Sequence, residues 1–314
     1  MNACYNACDR HDPSKTTIIW EGNEPTDIKA ITYGEMTKRV SQYANVLKSV
    51  GVVKGDRIVI YMPMVAETAY AMLACARIGA VHSVVFAGFS AESLAARIDD
   101  AECAVIMTSD YGLRGPKSIP LKKVVDDAIA LLPGPSLVKT VLSYKRTGES
   151  INWVDGRDLW LDDEADKHRP YCPCEPMDAE DPLFLLYTSG STGKPKGIMH
   201  TTAGAVFCDS PLRSFEVHLA FRLVPNPVMF LRQGLLRSFV HCVGYMLMTS
   251  MTFEKTFGYE DGDLFACVAD VGWITGHSYI VYGPLGRGGT TFMFESLPTY
   301  PDYGRYWDMV QRRI

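Results

Sequence analysis

The sequence predicts an α/β protein in which a largely parallel sheet is covered by helices. Two observations support this fold class. Short apolar runs with strand character alternate with helical segments through the first half of the chain, as is typical of parallel strands joined by right-handed crossovers. The chain also has 314 residues, 47% of them hydrophobic, so it can build one large α/β domain or two ordinary ones around a buried core.

The first predicted helix has clear signals at both ends. Thr32 stands where a helix cap is expected, Glu35 follows three residues later as in a capping box, and Gly51 marks the end. Apolar residues between them recur on one face, as packing against a core requires. Strands and helices then alternate, but this pattern does not give the order of the strands in the sheet. The predicted strands are 57–61, 82–86, 103–107 and 138–142, and the predicted helices are 65–78, 91–98 and 121–132.

The regular pattern weakens between residues 145 and 182. This part is rich in Asp, Glu and Pro, and we predict a long surface loop that leads into the next apolar run. Beyond residue 244 the pattern returns in part. There we predict strands at 264–269 and 290–294, and a helix or turn at 276–282.

Composition and charge argue against several classes of partner. The net charge is −5 with both signs interspersed, which disfavours nucleic acid as a main partner. No apolar run approaches the roughly 20 residues that a membrane helix needs, so no membrane partner is expected. The first residues, MNACYNACDRH, are too polar for a secretory signal. We therefore expect the cytoplasm, with the nucleus left open as a further location.

Nine cysteines are scattered through the chain. Cys4 and Cys8, or Cys172 and Cys174, resemble halves of a metal site. Neither pair has a second pair at the spacing typical of zinc sites, so no metal site is expected. An odd number of cysteines in a chain of this type indicates reduced thiols.

Residues 187–197, reading YTSGSTGKPKG, have the composition of a phosphate-binding loop. Glycines let a backbone turn tightly and bring its N–H groups close to a ligand, while hydroxyls and lysines add donors and positive charge. The loop is not a Walker A motif, because Lys194 is followed by Pro195 instead of Ser or Thr. The remaining alternative is a surface turn rich in Gly and Ser.

This loop resembles the phosphate-binding loop of the acyl-adenylate-forming enzymes. The flanking MDAEDPLF and HTTAG, and ADVGWITGHSYIVYGPL further on, are similar to motifs of AMP-forming acetyl-CoA synthetases. The resemblance runs from residue 5 to about 204 and again from 245 to the C-terminus. It implies the large N-terminal domain of the adenylate-forming fold, in incomplete form.

The resemblance also implies which residues contact the phosphates of ATP. The loop hydroxyls and N–H groups surround the leaving pyrophosphate, and Lys196 rather than Lys194 lies against the β- and γ-phosphates. Lys196 and Thr188 are the implied catalytic residues. The implied phosphate-binding set is Thr188, Ser189, Gly190, Ser191, Thr192, Gly193 and Lys196.

Two further motifs carry implied substrate contacts. By resemblance, Trp273, Ile274 and Thr275 form the acetate pocket; without it, a buried core turn is the simpler interpretation. The LRGPK segment places Arg114, Gly115 and Lys117 where the family contacts the phosphates of CoA, and the alternative is a basic surface loop. Thr275 is also implied in CoA binding. Pro116 departs from the family pattern, and its missing N–H puts any backbone contact there in doubt.

The resemblance is interrupted between residues 205 and 244. This segment has four arginines, no lysine and no clear helical or alternating period, and we interpret it as an atypical insert. The predicted organisation is therefore 1–204 as the first part of the AMP-binding domain, 205–244 as the insert, and 245–314 as the truncated continuation. The family's small C-terminal domain is expected to be absent.

The implied reaction is acetate–CoA ligation through acetyl-AMP. Acetate attacks the α-phosphate of ATP, which binds with Mg²⁺, and CoA then displaces AMP; both are co-substrates, and no tightly bound prosthetic group is expected. The expected partners are thus the small molecules acetate, ATP and CoA. Because the chain is a partial match, weak or no activity is expected. The alternative is a non-catalytic splice or gene-model variant that is unstable or binds partners through the 205–244 insert.

Overall fold

A computed structural model describes residues 1–134, 137–188, 195–201 and 244–312 of the chain. Within them the protein is mixed α/β, and parallel-rich sheets are covered by helices, as predicted. The predicted phosphate-loop positions 189–193 lie outside the described residues, as does the predicted insert except for Gly244. The strands are β1 Thr16–Glu21, β2 Ile28–Thr32, β3 Arg57–Tyr61, β4 Val81–Val84, β5 Val105–Ser109, β6 Gly112–Arg114, β7 Lys117–Ile119, β8 Thr140–Tyr144, β9 Asp158–Trp160, β10 Pro182–Thr188, β11 Lys196–Thr201, β12 Leu264–Ala266 and β13 Thr290–Phe294.

The helices of the described segments alternate with these strands. Near the C-terminal end a π-helical turn, His277–Tyr282, joins two short α-helices into one helical stretch. None of the helices described is long and apolar enough to cross a membrane. The α-helices are α1 Ala3–Ala7, α2 Tyr33–Ser49, α3 Ala66–Ile78, α4 Ala91–Ala101, α5 Leu121–Ala130, α6 Leu161–Ala165, α7 Tyr245–Lys255, α8 Ile274–Gly276, α9 Gly283–Arg287 and α10 Arg305–Gln311.

The larger sheet has the strand order β11-β10-β4-β3-β5-β8-β9 in the part of the chain described. Its neighbouring strands are parallel except for β10 and β11, which form an antiparallel hairpin at one edge. The four strands predicted from 57 to 142 are all present, within a few residues of the predicted bounds. Their parallel pairing confirms the crossovers inferred from alternation.

Both faces of this sheet are covered by apolar side chains. Along β3, Ile58 and Ile60 point into one buried cluster, while Val59 and Tyr61 point into another on the opposite face. Successive strand residues face opposite sides, so an apolar run is what a sheet covered on both faces requires. Helix α3, buried over nearly its whole length, packs on one face. Full burial of each large side chain contributes about 1.5–3 kcal/mol.

Helix α2 has the capping box predicted from its sequence. The Thr32 hydroxyl accepts a hydrogen bond from the Glu35 backbone N–H at 3.2 Å, and the Glu35 carboxylate accepts one from the Thr32 N–H at 2.8 Å. The helix ends at Ser49, and Gly51 has φ +89°, a left-handed conformation that favours glycine. Local capping therefore fixes both ends.

The smaller sheet has the order β12-β13-β1-β2 and lies beside the larger one. Strand β13 occupies exactly the predicted 290–294 range, whereas β12 is shorter than the predicted 264–269. Arg146, just beyond β8 of the larger sheet, forms an ion pair of 2.7 Å with Glu295, just beyond β13, and another of 3.1 Å with Asp27. This pairing ties the ends of the two sheets together.

The prediction of one long loop over 145–182 is wrong in its middle. Strand β9 pairs in parallel with β8, and helix α6 follows directly. The reason is a long-range contact that the local pattern does not show. The carboxylate of Asp158, at the start of β9, is fully buried and pairs with the equally buried Lys122 ammonium at 2.9 Å. That pair fixes a three-residue strand whose local sequence has little strand signal.

Candidate functional site

The β10–β11 hairpin brings the two ends of the predicted phosphate loop together. Thr188 and Lys196 are directly paired across the antiparallel ladder, as the last residue of β10 and the first of β11. The side chain of Thr188 is exposed and that of Lys196 is half-buried. Ser189, Gly190, Ser191, Thr192 and Gly193 lie between them, outside the described residues. Their predicted contacts with phosphate stay predictions.

The hairpin is held by the residues just before the loop. The Tyr187 hydroxyl donates a 2.6 Å hydrogen bond to the Asp100 carboxylate at the end of α4. A Cβ on Gly197, the partner of Tyr187, would lie 3.2 Å from the Tyr187 ring, so glycine leaves this ring room to lie across the ladder. The tyrosine thus fixes the strand that leads into the loop.

The base of the hairpin contributes to a group of histidines and aromatic rings, in which His82 and His277 are buried and His200 is half-buried. Phe184 of β10 stacks on His200 at 4.4 Å between ring centroids and lies 4.6 Å from His277, while His82 stacks on His277 at 5.7 Å. Burial lowers the pKa of His200 and of His277 to about 4, and it also lowers that of His82. These imidazoles are therefore neutral at pH 7. Sequence reasoning did not find this histidine group.

A cleft opens between the ends of the two sheets. Phe86, Arg114, Asp270 and Glu295 are among its lining residues. Burial raises the pKa of the Asp270 carboxyl, while the Gly272 N–H bonded to it and the nearby charge of Arg114 lower it. The cleft thus combines apolar walls with a few charged groups, as small-molecule sites do.

The predicted acetate residues lie next to this cleft on an exposed turn. Trp273 is 48% exposed and Ile274 40% exposed, and Thr275 is also exposed, so these side chains do not form the alternative buried core turn. The Asp270 carboxylate accepts a 2.7 Å hydrogen bond from the Gly272 N–H and so closes the turn. A contact of these residues with acetate stays a prediction.

The turn depends on glycine at its far end. A Cβ on Gly276 would lie 2.2 Å from the carbonyl oxygen of Asp270 and 2.6 Å from the Cα of Val271. Both are backbone atoms, so they cannot swing aside as a flexible side chain can. Gly276 therefore lets α8 pack closely against the backbone of Asp270 and Val271 and so positions Trp273.

The predicted CoA residues form a small hairpin at the mouth of the cleft. Arg114 ends β6 and pairs with Lys117 of β7, and both side chains are exposed. Gly115, at φ +61°, makes the turn, and Asn23 holds it in place. The Gly115 N–H donates a 2.8 Å hydrogen bond to Asn23 Oδ1, and Asn23 Nδ2 donates one of 3.0 Å to the Gly115 carbonyl. Pro116 therefore occupies a turn position in which the neighbouring backbone groups are already satisfied.

Aromatic rings connect the predicted CoA, acetate and phosphate groups. The Arg114 guanidinium lies 5.1 Å from the Phe86 ring centroid, and Trp273 lies 6.0 Å from Phe86 and 6.2 Å from Phe89. Arg97, which sequence reasoning missed, lies over both Phe89 at 4.8 Å and Tyr187 at 5.5 Å. These contacts link the LRGPK hairpin, the tryptophan turn and Tyr187 at the end of β10.

The chain is similar to known enzymes over almost its whole length. The model of the family described as "AMP-binding enzyme" matches residues 5–313. The chain is 50% identical to acetyl-coenzyme A synthetase of Halorhodospira halophila, 48% identical to acetyl-coenzyme A synthetase 2 of Pseudomonas putida and 50% identical to acetyl-coenzyme A synthetase of Rhizobium rhizogenes. Each comparison covers 99% of this chain and 42% of the relative. The chain thus spans less than half the length of these curated relatives.

Proposed function

The chain belongs to the AMP-binding enzyme family, and on that premise we propose that it contributes the phosphate-binding part of an AMP-forming acetate–CoA ligase. The observation that carries the proposal is the pairing of Thr188 with Lys196 at the base of the 187–197 loop. This pairing projects a hydroxyl and an ammonium from the same end of one hairpin. The similarity to acetyl-coenzyme A synthetases supports acetate as the acid.

The proposed first half-reaction is the attack of an acetate oxygen on the α-phosphate of ATP, with pyrophosphate leaving. Magnesium accompanies ATP as part of this substrate. The Lys196 ammonium lies against the departing phosphates and offsets their charge, and the Thr188 hydroxyl donates a hydrogen bond to them. Fixed donors and cations of this kind lower the barrier because charge accumulates on the leaving group.

In the proposed second half-reaction, the thiol of CoA displaces AMP from the acetyl carbon. The exposed cations Arg114 and Lys117 at the cleft mouth are suited to the phosphates of CoA, Arg as a fork and Lys as a point charge. Phe86 and Trp273 then line the path between that mouth and the acetyl group. We propose Trp273, Ile274 and Thr275 as the acetate wall, with Thr275 also facing CoA.

Binding of MgATP tests the phosphate-binding proposal independently of turnover. Lys196→Ala removes a charged donor, so we expect ATP affinity to fall roughly 10- to 150-fold, from about 1.5–3 kcal/mol per such contact. Lys167→Ala is the matched control, because Lys167 follows α6 at the opposite edge of the larger sheet and is 64% exposed. Titration calorimetry on both variants measures the difference. Equal affinity in the two variants would contradict the proposed role of Lys196.

A finer proposal concerns the polypeptide of 314 residues on its own. Because it spans 42% of the length of relatives named acetyl-coenzyme A synthetase, we propose that its acetate-dependent exchange of pyrophosphate into ATP is weak or absent although MgATP binds. Exchange at a rate that Lys196→Ala abolishes would overturn this finer proposal and leave the phosphate-binding role intact. The alternative is a non-catalytic product that is unstable or binds partners through residues 205–244. Rapid proteolysis within those residues that MgATP does not slow would favour this alternative.

A further inference from the structure

Three cysteines and a carboxylate from distant parts of the chain meet behind the N-terminal helix. Cys4 lies in α1, Cys8 caps the C-terminal end of that helix, and Asp9 follows it. Cys174 arrives from the connection that leads to β10. We name these four residues the thiol cluster. It lies apart from the cleft and the β10–β11 hairpin, and the proposed ligase chemistry does not use it.

The donor atoms of the thiol cluster are close together. One donor atom from each of Cys4, Asp9 and Cys174 lies within 4.8 Å of the other two. The Cys4 Sγ is 3.8 Å from the Cys8 Sγ, and the Cys174 Sγ is 4.0 Å from Asp9 Oδ2. In a tetrahedral site with Zn–S bonds of about 2.3 Å, two sulfur ligands stand about 3.8 Å apart. The measured separations are therefore close to the edges of such a site.

We propose that the thiol cluster binds one thiophilic divalent cation, of the class of Zn²⁺ or Cd²⁺. The sulfurs of Cys4 and Cys174 and a carboxylate oxygen of Asp9 provide three ligands, and soft sulfur donors select metals of this class over Mg²⁺ or Ca²⁺. Cys4 and Cys8 are fully buried, whereas Cys174 and Asp9 are partly exposed. An ion can therefore enter from the side of Cys174, while the buried side chains of Cys4 and Cys8 shield the other side from solvent.

Arg77, in the last turn of α3, contacts two residues of the thiol cluster. Its buried guanidinium donates 2.8 Å hydrogen bonds to each carboxylate oxygen of Asp9 and lies 3.3 Å from the Cys4 Sγ. A carboxylate oxygen has two lone pairs, so Asp9 can keep this ion pair and still ligate a metal. Two thiolates and a carboxylate carry more negative charge than a divalent ion offsets, and Arg77 offsets the remainder. Partners that hold ligand atoms in this way are usual around metal sites.

Sequence spacing disfavoured a metal site because neither cysteine pair has a second pair nearby. The fold supplies the missing ligand from 165 residues away, as the contact between Asp9 and Cys174 shows. Cys172, the other member of the C-terminal pair, does not belong to the set; its backbone carbonyl instead accepts a hydrogen bond from Arg77. The site is therefore assembled by tertiary packing of α1 against α3.

Cadmium titration of the reduced, metal-free chain tests the proposal. With a non-thiol reductant present, we expect one equivalent of Cd²⁺ to produce the ultraviolet thiolate-to-cadmium absorption band. Cys174→Ser and Asp9→Asn each remove one ligand and are expected to weaken binding at least about tenfold. Cys267→Ser is the matched control, since Cys267 is also a partly buried free cysteine but lies in the cleft. No equivalent of bound Cd²⁺, or equal affinity in all three variants, overturns the proposal.

A second readout needs no variant and so does not depend on variant folding. Alkylation of the folded chain by iodoacetamide, read for each cysteine by mass spectrometry, reports the access of each thiol. We expect Cd²⁺ to protect Cys174 at least about tenfold while the rate at Cys267 is unchanged. Equal alkylation of Cys174 with and without Cd²⁺ contradicts binding at the thiol cluster. The readout is also independent of ATP binding, so it separates this proposal from the proposed ligase function.

Discussion

Gly276 shows how single residues position the candidate site. Because Gly276 has no side chain, α8 can pack closely against the Asp270 carbonyl. A Cβ at this position would lie only 2.2 Å from the carbonyl oxygen. The same turn holds Trp273 beside Phe86, at 6.0 Å between ring centroids. Trp273 is half exposed, so core packing does not hold it there. Its position depends on the backbone of the turn and on the two neighbouring phenylalanine rings.

We predict that Gly276→Ala destabilises the folded chain. The added methyl group meets backbone atoms, and overpacking of this kind costs about 1–3 kcal/mol. Gly134→Ala is the control, because a Cβ at Gly134 meets nothing within 4 Å and its φ is not in the left-handed region. Urea denaturation of both variants measures the free energies of unfolding. Equal free energies for the two variants would show that the turn relaxes to accept a side chain.

At the scale of elements, the β10–β11 hairpin carries the candidate phosphate site. Its apolar residues face the two buried clusters, and α4 holds the end of β10 through the hydrogen bond from Tyr187 to Asp100. Arg97 of the same helix lies over the Tyr187 ring and over Phe89 at the cleft. Helix α4 therefore fixes the position of the β10–β11 hairpin relative to the cleft.

We predict that Tyr187→Phe loosens this hairpin while it keeps the ring in place. The lost hydrogen bond ends on a carboxylate, so we expect a loss of about 1.5–3 kcal/mol in the free energy of unfolding and weaker MgATP binding. Tyr171→Phe is the control, since Tyr171 is 60% exposed. Denaturation and calorimetry on the two variants give both quantities. Unchanged stability in Tyr187→Phe would mean that water replaces the lost hydroxyl as donor to the Asp100 carboxylate without cost.

The sequence predicts elements well where their signals are local. The α2 capping box needs only Thr32 and Glu35, and the parallel strands from β3 to β8 follow from apolar runs between helices. Strand β1 was not predicted, although Thr16–Glu21 is rich in β-branched residues. Its pairing with β13, more than 270 residues further along the chain (Ile18 opposite Thr291), is a long-range contact that no local pattern shows. The same limit applies to the site. The loop, the LRGPK segment and the tryptophan turn have recognisable motifs, but Arg97 and the buried histidines join them only through tertiary contacts.

At the scale of the whole molecule, neutral histidines are buried where the hairpin meets the helical stretch α8–α9. His82 and His277 stack, and Tyr282 bonds His82 Nε2 at 3.2 Å. The Nε2 of His277 and the Nδ1 of His200 have no hydrogen-bond partner among the described residues. Protonation would place charges in this apolar region without partners to offset them. The junction therefore depends on neutral imidazoles.

We predict that the stability of the chain falls as pH decreases from about 6.5 to about 4. The pKa of His277 is about 4 in the folded chain and about 6.5 in the unfolded chain, so the unfolded state binds more protons in this window. The free energy of unfolding should fall by about 1.4 kcal/mol per pH unit for each such histidine. Denaturation series at several pH values should show a smaller slope for His277→Gln than for the half-buried control His168→Gln. Equal slopes would exclude His277 as a source of the pH dependence.

Hydrogen–deuterium exchange with and without MgATP tests whether the β10–β11 hairpin holds the phosphates of ATP. With the phosphates against the loop closed by Thr188 and Lys196, peptides covering 182–201 should exchange more slowly when MgATP is present. Peptides covering β9 and α6, at the opposite edge of the larger sheet, should exchange at the same rate in both conditions. Unchanged exchange over 182–201 at saturating MgATP, or protection confined to other segments, would contradict the assignment of this hairpin as the phosphate site.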